Sequence, residues 1–440
     1  MHARCMLFLF CANCLNTETI MSSETMTIDS GWVKILKKGV PQAFSSTLPL
    51  APGVVFIDGQ IKLMKGEHVK TWKQFVQMQF FNTIDRCFET GAHTVVLGFD
   101  NYKHVPTAKG MTQRKRSQHV PAMDFSECDD LPRVLPDYWD AAMRNRSFKV
   151  KVMAMVAVNV RNKYADGPGT VILDCTDEVE VLGKPRPLPP ILCADKVLKR
   201  GECDIKAFAF LGNDPLLISS TDGDFVPLSL LQIEKAVCSA APVPRVLLYR
   251  IKVNVEDKTC GVKRKRGREM EFVDMNAVYE FLKKDFAVDR PARCFAGMVA
   301  STGCDFTMNL PQIGPTRIWS HRHTLKAALA QGTSAEGVLG MMLWAYTELY
   351  IQKARLTRSR AHQPLDQAVH SFESMVAAVK RSSSISQRVR DSLWGYQRAL
   401  AHAKNTEWTV LYWTDLHEHP DPIAGDFGFV VANGLVNFNV

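Results

Sequence analysis

The chain has 440 residues, 46% hydrophobic and 22% charged, with 54 Lys and Arg against 45 Asp and Glu for a formal net charge of +9. That length suffices for two or three domains around a large core. The composition excludes a low-complexity chain, and no apolar run reaches the roughly 18–20 residues that a membrane helix needs. The mild basic excess suits a polyanionic partner without demanding one.

No internal repeat is present. Twelve cysteines show no paired framework. The one CxxC, Cys11 to Cys14, has neither a second pair nor a nearby histidine pair, and a structural zinc site needs four ligands. Scattered thiols read as reduced core residues and suit an intracellular compartment. The first 30 residues read as an extension without a fold of its own. Their apolar stretch fits either a poor signal peptide or a start upstream of the true one, with Met21 as the alternative initiator.

Three apolar, β-branched runs then stop at aspartates. "PGVVFIDG" predicts a buried strand ending at Asp58, "GAHTVVLGFDN" a second ending at Asp100, and "DPLLISSTDGD" a third ending at Asp222. Short continuous runs of this kind suit parallel strands covered on both faces. Between the first two, "TWKQFVQMQFFNTIDRCFETG" places Phe75, Met78, Phe81, Ile84 and Phe88 at helical spacing, with Gly91 as the stop. Strand, helix, strand is the unit of an α/β domain, whose ligands gather outside the carboxyl ends of its strands.

From about 105 to 195 the pattern loosens into an enlarged insertion. It opens with basic "HVPTAKGMTQRKRSQH", then has a largely helical stretch, a strand in "PGTVILDC", and a stiff "KPRPLPP" linker. "KRGECDIKAFAFLG" opens a helix at Gly201, Glu202 and Asp204, with a face through Ile205, Phe208 and Leu211. Acidic residues in a first turn also suit the helix dipole, so capping and ligation both remain open there. Residues 236–275 predict a β-hairpin with a basic tip, "KRKRGR". That tip fits a nuclear localisation patch, a phosphate-contacting loop or an exposed turn. Residues 276–330 predict helix, turn, helix and a tight "LPQIGPTR" hairpin. Residues 331–440 read as mostly helical up to a mixed tail, "EWTVLYWTDLH", with Trp344, Tyr346, Tyr350 and Trp394 as core.

Asp222 and Asp224 stand one glycine apart, which a turn alone would explain. The wider set is harder to dismiss. Asp58, Asp100, Glu202, Asp204, Asp222, Asp224 and Asp305 all sit at element ends, and so many carboxylates at one sheet edge raise one another's pKa values. Cations relieve that repulsion, and hard oxygen ligands favour Mg²⁺ or Mn²⁺ over zinc. Two such ions activate water and stabilise a leaving oxygen in phosphodiester cleavage.

The ordered motifs "FIDG", "GFDN", "GECD", "TDGD" and "TGCDF…LPQIGPTR" resemble the flap endonuclease and XPG-like family of structure-specific 5′ nucleases. The resemblance runs from about Gly31 to Trp319. It implies a PIN-like parallel sheet flanked by helices over 31–235, a helix-two-turn-helix region over 276–330 and a helical C-terminal extension. It gives the seven acids metal-ligand roles for two Mg²⁺ ions, with Mn²⁺ as a substitute and K⁺ at the hairpin. It implies that Gly31, Ile313, Gly314, Thr316 and Arg317 contact DNA. It implies that Lys109, with either Arg114 or Arg116, steadies the scissile phosphate, the alternative being a solvated charged loop. The implied substrate is branched or flap-bearing DNA, and the implied compartment is the nucleus, with the mitochondrion an alternative. Two other readings are a nucleic-acid-binding relative that has lost turnover and a PIN-type ribonuclease. Several residues depart from the pattern: Asp204 replaces a usual glutamate, Gln312 a glycine and Thr316 a lysine. No Gln-x-x-hydrophobic-x-x-aromatic-aromatic box for a sliding clamp is evident.

Overall fold

A computed structural model of the protein describes residues 31–438, apart from 64–68, 101–133, 176–178, 186–201, 255–266, 330–333, 355–367, 417–426 and short gaps at 138, 144, 305–306, 308–309, 311–312, 384 and 433–434. The architecture is α/β. Strands β1 (Phe44–Ser45), β2 (Val54–Asp58), β3 (Thr94–Gly98), β4 (Thr170–Asp174), β5 (Glu180–Gly183), β6 (Leu216–Ser219), β7 (Val246–Asn254) and β8 (Gly267–Asp274) form one sheet. Their order is β1-β8-β7-β6-β2-β3-β4-β5. The central run from β7 to β4 is parallel, and β5, β8 and β1 join antiparallel at the edges. The chain steps outward from β2 to β3 and β4, then returns to place β6 on the other side of β2. Strand order therefore reverses between β2 and β6, and the crevice outside the carboxyl ends at such a point is where open sheets hold ligands.

Side chains alternate across a strand, which explains the continuous apolar runs. Phe56, Val96, Ile172, Ile218 and Leu248 join the core on one face. Val55, Ile57, Leu97, Leu173, Leu217 and Leu247 join the core on the other. The first core runs into the helices Gly31–Gly39, Phe225–Cys238, Met275–Phe286 and Pro291–Ser301. The second holds the segment Trp72–Glu89 and the helix Arg146–Tyr164. Burial on both faces is what a parallel sheet requires.

The segment Trp72–Glu89 begins with a reciprocal cap. The Gln74 N–H donates to Thr71 Oγ1 at 3.2 Å and the Thr71 N–H donates to Gln74 Oε1 at 3.3 Å. It ends at Gly91, whose φ of +96° suits glycine. Phe75 and Ile84 are buried as their spacing predicts, yet Phe80 is buried where Met78 and Phe81 were expected, and those two are only partly covered. A π turn at Gln77–Phe81 is the cause. Its wider i→i+5 ladder moves the apolar face by one position.

The structure bears on three other expectations. Much of the supposed insertion belongs to the sheet: Arg146–Tyr164 covers one face, and β4 pairs with β3. The hairpin β7–β8 forms as expected, but β7 is also a parallel neighbour of β6; Lys263–Arg266 of its basic tip lie outside the described residues. "EWTVLYWT" lies within a helix, Tyr396–Thr414, instead of a mixed tail. Burial of Trp408, Tyr412 and Trp413 there outweighs the strand preference of aromatic and β-branched residues. Tyr346 and Trp394 are core, Trp344 is partly buried, and Tyr350 has no described side chain. A last hairpin pairs β9 (Phe429–Ala432) with β10 (Leu435–Phe438). No helix among the described residues is long and apolar enough to cross a membrane.

The carboxyl end of β2 has no spare room. A Cβ on Gly59 would stand 2.5 Å from Phe99 Cε1 and 2.6 Å from the Gly98 carbonyl oxygen, whereas one on Gly212 meets nothing within 4 Å. Gly59→Ala should therefore destabilise the protein by about 1–3 kcal/mol, the usual cost of overpacking. Gly212→Ala should stay within about 0.5 kcal/mol of wild type. Urea denaturation of both variants measures the contrast.

Candidate metal centre

Register, more than any single contact, assembles this site. Asp58 of β2 pairs with Gly98 of β3, and Gly98 pairs with Asp174 of β4. Ser219 of β6 pairs with Ile57, so Ser220 leaves the sheet level with Asp58. The carboxyl ends of four parallel strands thus deliver Asp58, Asp174, Asp100 and the Ser220–Asp224 turn to one edge.

A chain of hydrogen bonds links two of these ends across the reversal in strand order. Asp58 Oδ1 accepts from the Gln60 N–H at 3.0 Å, capping the short helix Gly59–Lys62, and Asp58 Oδ2 accepts from Ser220 Oγ at 2.9 Å. The Asp222 N–H donates to Ser220 Oγ at 3.0 Å, and the Asp224 N–H donates to Asp222 Oδ1 at 3.1 Å. Asp222 therefore makes the turn that the dipeptide spacing suggests. It does so beside Asp58, whose field it shares. Burial, then Asp100, then Asp222 push the Asp58 carboxyl up from 3.8 to about 7, against the two hydrogen bonds that favour its charge. Asp58 is 6% exposed, while Asp222 lies at the surface and Asp224 is half-buried.

The second group hangs on β3. Asp100 Oδ1 accepts from the Cys203 N–H at 2.9 Å, and Cys203 Sγ donates to the Gly98 carbonyl at 3.2 Å. These two bonds seat the turn that carries Glu202 and Asp204 on the end of β3. Burial and the neighbouring Asp58 and Asp100 hold the Cys203 thiol well above its usual pKa. Glu202 stands at the N-cap of the helix Cys203–Lys206 and makes no side-chain capping bond, so capping does not account for it. Glu202 and Asp204 are both buried, and Asp204 Oδ1 accepts from the Ile205 N–H at 3.0 Å.

Two residues at this edge escaped the sequence reading. Asp174 is 1% exposed and ends β4. Its signal was present, since "TVILDC" stops at an aspartate just as the other three runs do. Lys206 is fully buried, and its Nζ donates to Asp174 Oδ1 at 3.0 Å and to the Phe99 carbonyl at 2.9 Å. Burial pushes Asp174 up to about 6, with Lys206 opposing that rise.

The DNA-contact candidates form a separate group. Gly31 opens its helix against the hairpin region: a Cβ there would stand 3.2 Å from Pro315 Cγ. Trp32 Nε1 donates to Thr302 Oγ1 at 3.0 Å, and its ring packs edge-on to Trp319. Ile313 is buried, Gly314 and Thr316 are exposed, and Arg317 is half-buried at the start of the helix Pro315–Ser320. Asp305, Lys109, Arg114 and Arg116 lie outside the described residues, as do Pro311 and Gln312 of the hairpin expected to hold K⁺.

Among the described residues, no three His, Cys, Asp or Glu groups are arranged to hold a metal ion. The carboxylate oxygens gathered at this edge are the donor type that suits a hard divalent cation. No protein-family model and no curated protein sequence matches the chain.

The shift at Asp58 gives a pH test with a definite sign. A folded pKa raised from 3.8 to about 7 means that the native state holds this proton more tightly than the unfolded chain does. Its contribution to stability is full below pH 3.8 and is lost as pH rises through 7. Cation-free protein should therefore lose stability between pH 4 and 8 at this site, by on the order of 4 kcal/mol. Asp58→Asn should flatten that slope. Thermal melts in chelator across this range, comparing wild type with the variant, provide the measurement.

Proposed function

We propose that the protein is a divalent-metal-dependent nuclease that hydrolyses phosphodiester bonds in branched DNA, in the manner of the flap endonuclease and XPG-like family. The observation that supports this reading best is the convergence of Asp58, Asp100 and Asp222 at the carboxyl ends of the strands around the β2–β6 reversal, where burial first, then Asp100 and Asp222, push the Asp58 carboxyl to about 7. On this reading the sheet is a PIN-like core, and residues 276–330 are a helix-two-turn-helix.

Asp58, Asp100 and Asp222 would hold the cations, with Glu202, Asp204, Asp224 and Asp305 completing the set. The ions supply Lewis acidity and charge neutralisation at the phosphate. The chain's own work is positional. Ser220 fixes one Asp58 oxygen and leaves its direction set by the turn that also presents Asp222. The Cys203 N–H does the same for Asp100. Gly314 and Thr316, exposed beside the buried Ile313, would meet duplex phosphates, which carry no sequence information. Recognition would then follow junction shape.

Purified protein with labelled flap, nicked and single-stranded DNA and with RNA, each with and without Mg²⁺, tests the reading. Mg²⁺-dependent cutting of the flap supports it. RNA cleavage in its place points to a ribonuclease, and binding without any cutting to a relative that has lost turnover. Asp222→Ala should lower flap cleavage by more than about 100-fold, beyond what the loss of an outer-shell partner costs. It should leave DNA binding equal or tighter, because one repelling charge is gone. Full cutting by this variant would remove Asp222 from the site.

Gly314→Val is a clean probe of the hairpin. Nothing lies within 4 Å of a Cβ at that position, and its φ of −103° is open to any residue. The fold should be unaffected. Affinity for duplex-bearing DNA should fall about tenfold or more, the equivalent of one lost hydrogen bond to a charged phosphate. Single-strand affinity should hold. Titrating wild type and variant on both substrates decides it, and equal duplex affinity would mean that the hairpin does not grip DNA.

A further inference from the structure

The buried pair Lys206–Asp174 has no part in the chemistry described above, yet it sits at the same sheet edge. Lys206 is 0% exposed and Asp174 1%. A buried ion pair is weak evidence for stability, since apolar residues of similar volume often serve as well. Its connections are more specific than its energy. Lys206 Nζ reaches Asp174 at 3.0 Å and the carbonyl of Phe99 at 2.9 Å, and Phe99 directly precedes Asp100. The Phe99 N–H in turn donates to the Asp174 carbonyl at 3.0 Å. Lys206 itself stands on the turn that carries Glu202 and Asp204, and its own N–H donates to the Glu202 carbonyl at 3.4 Å. One ammonium therefore fastens the ends of β3 and β4 to the turn that presents two further acids.

We propose that Lys206, anchored by Asp174, is a positioning residue that holds Asp100, Glu202 and Asp204 in mutual register for divalent cations. This rests on the metal-dependent reading above. Lys206 touches no reacting atom. Its ammonium donates to the carbonyl next to Asp100 and to Asp174, which ties the turn it stands on to both strand ends, and its charge is balanced locally by Asp174. The clamp therefore adds no net charge to the cleft, and removing both partners tests geometry apart from electrostatics.

The experiment compares full-length wild type, the double variant Lys206→Met with Asp174→Leu, and the single variant Asp174→Asn. Each is read by thermal melting in chelator, by Mg²⁺ binding in calorimetry, and by kcat and KM on a labelled flap substrate. The double variant should melt near wild type, bind Mg²⁺ at least tenfold more weakly and lose kcat with KM for DNA unchanged, as outer-shell partners of ligands typically do. Should it not fold, Asp174→Asn carries the test. That variant replaces the charged acceptor that anchors the ammonium with a weaker neutral one, so the clamp loosens and Mg²⁺ affinity should fall about fivefold, the equivalent of about 1 kcal/mol. A folded variant of either kind with wild-type Mg²⁺ affinity and kcat overturns the proposal and leaves the metal reading standing. Wild-type protein that neither binds Mg²⁺ nor cuts DNA overturns the metal reading, and this proposal with it.

Discussion

Carboxylates crowded at the carboxyl edge of a parallel sheet set the terms for everything around them. Register alone places Asp58 and Asp174 on one cross-sheet row, about two strand spacings or roughly 9–10 Å apart, and Asp100 extends from the strand between them. Such a row is costly in a folded chain without counter-charges, and it adds, through Asp100 and Asp222, to the burial that drives Asp58 up to about 7. The neighbours answer it in different ways. Ser220 and the Gln60 and Cys203 N–H groups donate to Asp58 or Asp100. Lys206 neutralises Asp174 directly. The exposed Asp222 leaves its charge to solvent.

The same edge explains two glycines that no turn requires. A Cβ on Gly98 would stand 2.3 Å from Phe56 Cζ, and one on Gly59 would strike Phe99. Both residues flank the Asp58 level of the sheet, so the strand ends approach closely where the acids project. Close packing beneath the acids keeps the floor of the edge apolar. That raises the desolvation borne by any carboxylate above it, and it is the largest influence on both Asp58 and Asp174.

Much of this was legible in the sequence, because the rule being read is physical. An apolar β-branched run covered on both faces must be a buried strand, and a polar residue at its end must sit at an edge. Asp58, Asp100 and Asp222 follow from that rule alone. Asp174 obeys it equally, but its strand lies in a stretch where helical and strand periodicities alternate over short distances, which masks the signal. Lys206 was not legible at all: its neighbours Ile205, Ala207 and Phe208 give it the pattern of an apolar helix face, and only the β3–β4 register reveals what its ammonium meets. The π turn at Gln77–Phe81 and the helix over "EWTVLYWT" were hidden for a related reason. Each is decided by what the segment packs against, and local propensity does not carry that information.

The carboxylate edge and the hairpin region need a fixed relation to one another. The helix Gly31–Gly39 supplies it. At its start, Gly31 lies against Pro315, and Trp32 bonds to Thr302 and packs on Phe295 and Trp319. Farther along, Lys37 pairs with Glu271 of β8. Trp32, Leu36, Phe56, Ile218, Ile313 and Ile318 belong to one continuous apolar core, so no soft linker separates the sheet from the hairpin among these residues. Protein interiors transmit displacement because they are close-packed. Under the proposed function, a duplex held at Gly314 would therefore present its backbone to Asp58 and Asp222 at a distance fixed by side-chain packing. A nuclease that cuts by shape would need such a fixed offset more than any base contact, and Trp32 ties the first helix to the hairpin region that would supply it.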